Sequence, residues 1–310
     1  VSAFAKLRDL LEMIRFSHTV FALPFALLAA VMAWSAPGID GGQVRFQPWH
    51  VVGILICMVG ARSAAMAFNR LVDRDLDAKN PRTAQRHIPS GRISTANAIL
   101  FVVLASLLFG GGTLLFLPNW LPLALALPVL AILLAYSYTK RFTSLAHFWL
   151  GASLMLAPVA AWIAIRGDRV LQNPMDLVPA GILGAAVLFW VAGFDIIYAC
   201  QDYEFDQQND LRSFPVRWGI PGALRWAAVC HGGMIVALLS LPGLSSLAGV
   251  ETGLGWLYVL TVLAVLVLLT YEHAIVSADD LTRVNVAFFN VNAVVSFSLF
   301  GLATLDLLAI

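Results

Sequence analysis

Nine runs of predominantly apolar residues divide the chain, and they limit its fold more than any other feature. They cover approximately 19–34, 49–68, 98–117, 120–138, 145–165, 177–200, 222–241, 254–271 and 284–305. A helix rising about 1.5 Å per residue needs roughly 20 apolar residues to cross about 30 Å of hydrocarbon. In lipid, only helices and closed barrels satisfy every backbone polar group, and runs of this length specify helices. The expectation is an all-α polytopic membrane protein with nine transmembrane helices, forming a single domain over 1–310. Charge content agrees: 12% of the 310 residues are charged, where a soluble domain carries about 25%. Pro24, Pro128 and Pro158 fall within runs, where membrane helices accept kinks.

The formal charge is +1, with no basic excess to neutralise a phosphate backbone, which argues against a nucleic-acid partner. No protein partner is implied; the surrounding partner is the lipid bilayer. Fifteen Lys and Arg lie in the N-terminal segment, 69–97, Lys140-Arg141, 201–225 and 272–283, against three (Arg45, Arg166 and Arg169) in the alternate segments. By the positive-inside rule, the N-terminus and the long polar loops face the cytoplasm, the expected setting being a bacterial inner membrane. The early charges Lys6, Arg8, Asp9, Glu12 and Arg15 do not read as a cleavable signal peptide. Cys57, Cys200 and Cys230 lie in or at the ends of apolar runs without metal or disulfide spacing, so they read as core residues.

Eight of the eighteen acids crowd two windows, one with Asp73, Asp75 and Asp77, the other with Asp195, Asp202, Glu204, Asp206 and Asp210. Carboxylates at that density repel one another unless water or a cation screens them. Both windows carry the spacing DxxxD at the end of a long apolar helix, where i and i+4 share a face. Asn69, Asp73 and Asp77 form one expected row; Asp195, Asp202 and Asp206 form the second, since seven residues return within about 20°. The rows end spans two and six, four helices apart, which suggests two four-helix repeats plus one helix. Hard oxygen ligands with room for water suit Mg²⁺, which binds through a few carboxylates plus substrate phosphates. Asn69, Asp73, Asp77, Asp202 and Asp206 are thus candidate Mg²⁺ ligands, and segments 69–97 and 201–221 are candidate cytoplasmic loops capping a diphosphate site. The nearby cations Arg82, Arg86, Lys140 and Arg141 fit as diphosphate ligands, Arg as a fork and Lys as a point charge.

Arg62 lies seven residues before Asn69, about two turns deeper on the same face. A charge at that depth costs at least about 2.5–3.5 kcal/mol and faces a cavity or a partner. Its partner is an acid: either Asp195, pairing spans two and six, or an anionic substrate. In the favoured reading Arg62 holds a substrate carboxylate while Asp195 positions or deprotonates that substrate and Tyr198, about 60° around the helix, helps close the pocket.

Three ordered motifs carry a resemblance: NRxxDxxxD at Asn69 to Asp77, YxYxKR at Tyr136 to Arg141, and DxxYAxxDxxxD at Asp195 to Asp206. Together they resemble the intramembrane aromatic prenyltransferases related to 4-hydroxybenzoate polyprenyltransferase. The resemblance implies a helical bundle around a central cavity open to lipid, Asp-rich motifs that bind Mg²⁺ and a polyprenyl diphosphate, and Lys140 as a diphosphate contact. The stretches Ile14 to Pro24 and Ala61 to Asn69 look more like a branch linked to futalosine-route menaquinone synthesis, whose acceptor is 1,4-dihydroxy-6-naphthoate. The reaction implied is ionisation of the diphosphate, attack of an aromatic acid on the allylic cation, and loss of the ring proton. A membrane transporter is the alternative, but it needs coupling charges near the midplane, and only Arg62 and Asp195 lie deep. A soluble prenyl-diphosphate synthase shares Asp-rich helices but not nine apolar spans. CDP-alcohol phosphotransferases expect a DG pair followed by AR, which neither window supplies.

Overall fold

The computed structural model describes residues 12–13, 21–38 and 41–309. Residues 14–20, which begin the first apolar run and most of the Ile14 to Pro24 stretch, lie outside the described residues. In chain order the helices are α1 (Leu23–Ser35), α2 (Pro48–Val72), α3 (Arg74–Lys79), α4 (Thr95–Thr113), α5 (Leu121–Ala135), α6 (Ala146–Gln172), α7 (Val178–Ala199), α8 (Tyr203–Gln208), α9 (Phe214–Leu247), α10 (Trp256–Ala274) and α11 (Val284–Leu308). The chain is an all-α polytopic membrane protein. Among the described residues eight helical stretches are long and apolar enough to cross a membrane, matching the second to ninth runs. Among the described residues the first run contributes the 13 residues of α1, which rise about 20 Å.

Residues 52–138 form one compact unit, and residues 21–51 with 139–309 form a second. In the first unit, small residues let helices approach closely. A Cβ on Gly60 of α2 would stand 2.6 Å from the backbone nitrogen of Phe109 in α4, and one on Gly112 would meet Ile56 and Cys57. Ile88 and Ile93 pack with Ala67, Ala98 and Val102, which ties the polar segment after α3 down onto α2 and α4. On α5 no residue is buried within the structure, as expected of a helix whose surroundings are lipid.

In the second unit α7 is the central element, packed against both α6 and α9, while α1 packs on α6 and α11. Its sequence is apolar all round, and Leu183, Ala186, Val187, Trp190, Val191, Ile196 and Ile197 are completely buried, the pattern of a core helix. Contact with α6 requires Gly151, whose Cβ would stand 2.4 Å from the carbonyl oxygen of Leu188. Outward positions such as Val229, Val236, Leu247 and Val267 stay exposed, giving the apolar surface a bilayer solvates.

Three features depart from the linear reading. In α9 helical geometry starts at Phe214 but is broken by Gly219 at φ 69°, so the main length of span seven starts beyond Gly219, close to residue 222; the positive φ is cheap only for glycine. Arg166, counted among loop cations, is buried. It donates to Asp176 and to the carbonyls of Ala33, Ala36 and Pro37, so it caps the end of α1 and neutralises a buried acid. In α11 a π-helical turn spans Ala287–Val291. Asn292 fills it, donating to the carbonyls of Ala287 and Phe288 and accepting from the Trp190 indole at 2.6 Å.

Candidate active site

The two acidic windows adopt the same local structure. α2 ends at Val72, Asp73 takes a non-helical φ −93°, ψ 6°, and the six-residue α3 follows. α7 passes through a tight 3₁₀ turn, Cys200–Asp202, Asp202 takes φ −101°, ψ 7°, and the six-residue α8 follows. The first acid of each DxxxD therefore stands in the sparsely populated bridge region, at the start of a short helix.

Helical geometry is interrupted at the first acid of each pair. In the first window the i to i+4 register survives, because Asp73 N–H bonds the Asn69 carbonyl and Asp77 N–H bonds the Asp73 carbonyl. Asn69 Nδ2 also donates to Asp73 Oδ2 at 2.9 Å. In the second window each 3₁₀ step turns about 120° instead of 100°, which moves Asp202 from about 20° on one side of Asp195 to about 40° on the other, so the two still share a side of the helix.

The second acid of each pair is buried: Asp77 is 6% exposed and Asp206 2%. Each has one carboxylate oxygen, Oδ2, that is inaccessible and has no well-formed hydrogen bond among the described residues, with the Ser213 hydroxyl a neighbouring donor at Asp206. A bare buried carboxylate oxygen costs free energy unless a donor or cation meets it. Only oxygen donors are offered, the chemistry a hard divalent cation takes, so the residues fit Mg²⁺. Within either unit no three His, Cys, Asp or Glu side chains among the described residues gather as a closed metal site.

Cations lie beside both windows. Arg86 Nη1 donates to Asp77 Oδ1 at 2.6 Å, so Arg86 holds an acid, a role beyond its expected one as a phosphate ligand. Arg82 is exposed, with its backbone N–H on Asn80 Oδ1. Lys140, in the 3₁₀ turn Tyr136–Arg141, lies within electrostatic reach of Asp206, as does Asp202. Its carbonyl receives the Arg212 N–H at 2.8 Å, which ties the loop after α8 to the YxYxKR segment. Arg141, next to it, is exposed.

Arg62 sits on α2 with its Nε buried and without a hydrogen-bond partner among the described residues. Asp195 Oδ2 lies 2.7 Å from His147 Nδ1. The sequence reading passed over His147. The available signal was an ionisable residue inside an apolar span, which in a membrane protein marks function by default. Tyr198 stacks on Phe288, ring centroids 4.4 Å apart, and Phe288 meets Phe194 and Phe21, so Tyr198 belongs to an aromatic cluster on the Asp195 helix.

The described helices thus carry two acidic turns of the same kind, each with Arg or Lys beside it. Residues 20–294 match the UbiA prenyltransferase family. A 4-hydroxybenzoate octaprenyltransferase of Neisseria gonorrhoeae (strain NCCP11945) is 30% identical over 213 residues, 68% of this chain and 66% of that protein. One from Marinomonas sp. (strain MWYL1) is 31% identical over 257 residues, 82% of each. The apo structure of a UbiA homolog from Aeropyrum pernix K1 superposes with a TM-score of 0.78 at 29% identity, covering 91% of this chain and 95% of that one. A UbiA homolog from Archaeoglobus fulgidus bound to DMAPP and Mg²⁺ shares the fold, with a TM-score of 0.63 at 18% identity, covering 94% of this chain and 99% of that one. The chain belongs to the UbiA prenyltransferase family and is an enzyme of that type.

Proposed function

We propose that the protein transfers a polyprenyl group from polyprenyl diphosphate to an aromatic acid in quinone synthesis, with Mg²⁺ as cofactor. The observation that carries this reading is the repeated acidic turn, with Asp77 and Asp206 buried and each keeping one bare oxygen. Asn69, Asp73, Asp77, Asp202 and Asp206 would hold Mg²⁺, which would supply positive charge to the diphosphate leaving group. Lys140, Arg82, Arg86 and Arg141 add donors to the departing phosphate oxygens. The C–O bond to the allylic carbon breaks with both electrons leaving on diphosphate. The ring of the acceptor then supplies the pair for the new C–C bond.

Arg62, deep on α2 with its Nε unbonded, recognises the acceptor carboxylate through a charged hydrogen bond. Asp195 orients the acceptor and takes its proton, restoring the aromatic ring. Tyr198 and Phe288 offer π faces to the allylic cation. The acceptor is 4-hydroxybenzoate, the substrate in the names of the curated relatives, or 1,4-dihydroxy-6-naphthoate, the acceptor of the futalosine-route branch. The chain crosses a bacterial inner membrane nine times as two four-helix repeats plus one helix around a central cavity, with its N-terminus and both acidic loops in the cytoplasm. The near-identical backbone angles at Asp73 and Asp202 support the repeat.

The test is incubation of the detergent-solubilised protein with a polyprenyl diphosphate, Mg²⁺ and each acceptor in turn, with products read by mass. A prenylated acceptor that disappears on chelation is expected. No product from either aromatic acid, with transport into liposomes instead, would overturn the reading.

A further inference from the structure

His147 lies in the first turn of α6, fully buried, with both ring nitrogens engaged. Nδ1 is 2.7 Å from Asp195 Oδ2, and the backbone nitrogen of Phe214, at the start of α9, lies 3.3 Å from Nε2. An amide N–H only donates, so Nε2 carries the lone pair and the ring proton sits on Nδ1. The imidazole is therefore a one-way device: a backbone group fixes its tautomer, and its single N–H is spent on Asp195. The rings of Phe214 and His147 meet edge to face at 5.8 Å, and Phe148 packs on Phe214, so the imidazole has no room to turn.

Asp195, in contrast, is not closed off. Its side chain keeps 15% of its surface exposed, and among the described residues His147 alone bonds its carboxylate. Fixing Oδ2 leaves Oδ1 as the acceptor edge at the open side. A carboxylate that must meet a substrate proton in one orientation gains from such a clamp, since catalytic groups need their rotamers locked by supporting hydrogen bonds.

We propose that His147 is a positioning residue for prenyl transfer, presenting Asp195 to the acceptor through its Nδ1–H. The inference rests on the reading of Asp195 as the acceptor-facing group. The competing account makes His147 only a structural tie among α6, α7 and α9.

Two substitutions separate the accounts. In His147→Asn the side-chain amide reaches the place of Nδ1 and still donates to Asp195, but it loses the acceptor for Phe214 N–H. In His147→Gln the longer amide reaches the place of Nε2 and keeps Phe214, but it loses the Asp195 contact. Steady-state kinetics with Mg²⁺ and thermal stability are measured on wild type and both variants. The expected result is that His147→Gln unfolds near the wild-type temperature yet loses about 10–100-fold in kcat, the usual scale for a supporting hydrogen bond. KM for the polyprenyl diphosphate should stay within about twofold. His147→Asn should keep most of kcat while losing stability. Wild-type kcat in His147→Gln, or losses in both variants that follow stability alone, would overturn the proposal while leaving the function intact. Absence of product from the wild-type protein would overturn both.

Discussion

Arg86 offers the sharpest test of how the first acidic turn is held. Its guanidinium is 2.6 Å from Asp77, and the side chains are 24% and 8% exposed. Arg86→Met keeps the apolar stem but leaves a buried carboxylate with neither oxygen paired, because Oδ2 already has no partner among the described residues. Removing one member of a buried pair costs about 3–5 kcal/mol, whereas an exposed pair is worth about 0–1 kcal/mol. Since Arg86 is one quarter exposed, water reaches part of the vacated space, and about 2–3 kcal/mol is expected. Asp77→Asn should cost less, about 1 kcal/mol, because the amide oxygen still accepts from Arg86 and Arg86 can turn to water. The double variant has no unpaired charge left, so it should be more stable than Arg86→Met alone, with a coupling of about 1–2 kcal/mol. Thermal unfolding in detergent at one scan rate measures all four proteins. At about 2 °C per kcal/mol for a chain of this size, Arg86→Met should fall about 4–6 °C, and Mg²⁺ should recover more of that loss than it adds to wild type. Additive losses in the double variant would refute the argument that Arg86 neutralises a buried Asp77.

Two further predictions concern the substrates. Asp73→Ala and Asp202→Ala, which remove the half-buried acids at the bridge-region positions, should each abolish Mg²⁺-dependent prenyl transfer while leaving folded protein by size-exclusion and circular dichroism. Near-normal turnover in both would sink the two-turn site. Arg62→Leu should raise KM for the aromatic acid at least tenfold, the scale of one charge-assisted hydrogen bond at about 1.5–3 kcal/mol, and leave KM for the diphosphate unchanged. Equal loss for both substrates would mean that Arg62 acts on the helix rather than on the acceptor.

Much of this molecule was legible in order along the chain. Apart from α6 and α9, which extend past their apolar runs, the boundaries of the long helices lie within a few residues of the run ends, since a bilayer admits few alternatives to a saturated backbone. Asn69, Asp73, Asp77, Asp202 and Asp206 stood out because acids are rare in such a chain and their clustering is costly. What could not be read was any relation set by packing between distant segments. Arg166 looks like a loop cation until Asp176 and the end of α1 close over it. Asp195 looks like no more than a member of an acidic row until His147, 48 residues earlier, takes its carboxylate.

That the chain is a helical membrane protein with two acidic windows follows from its linear order, because hydrophobic length and charge cost are properties of composition along a line. Which carboxylate oxygens are bare and which are bonded is set by the packing of distant segments. That outcome depends on where an imidazole, a guanidinium or a backbone N–H arrives from another helix, and hydrogen bonds act only over about 3 Å.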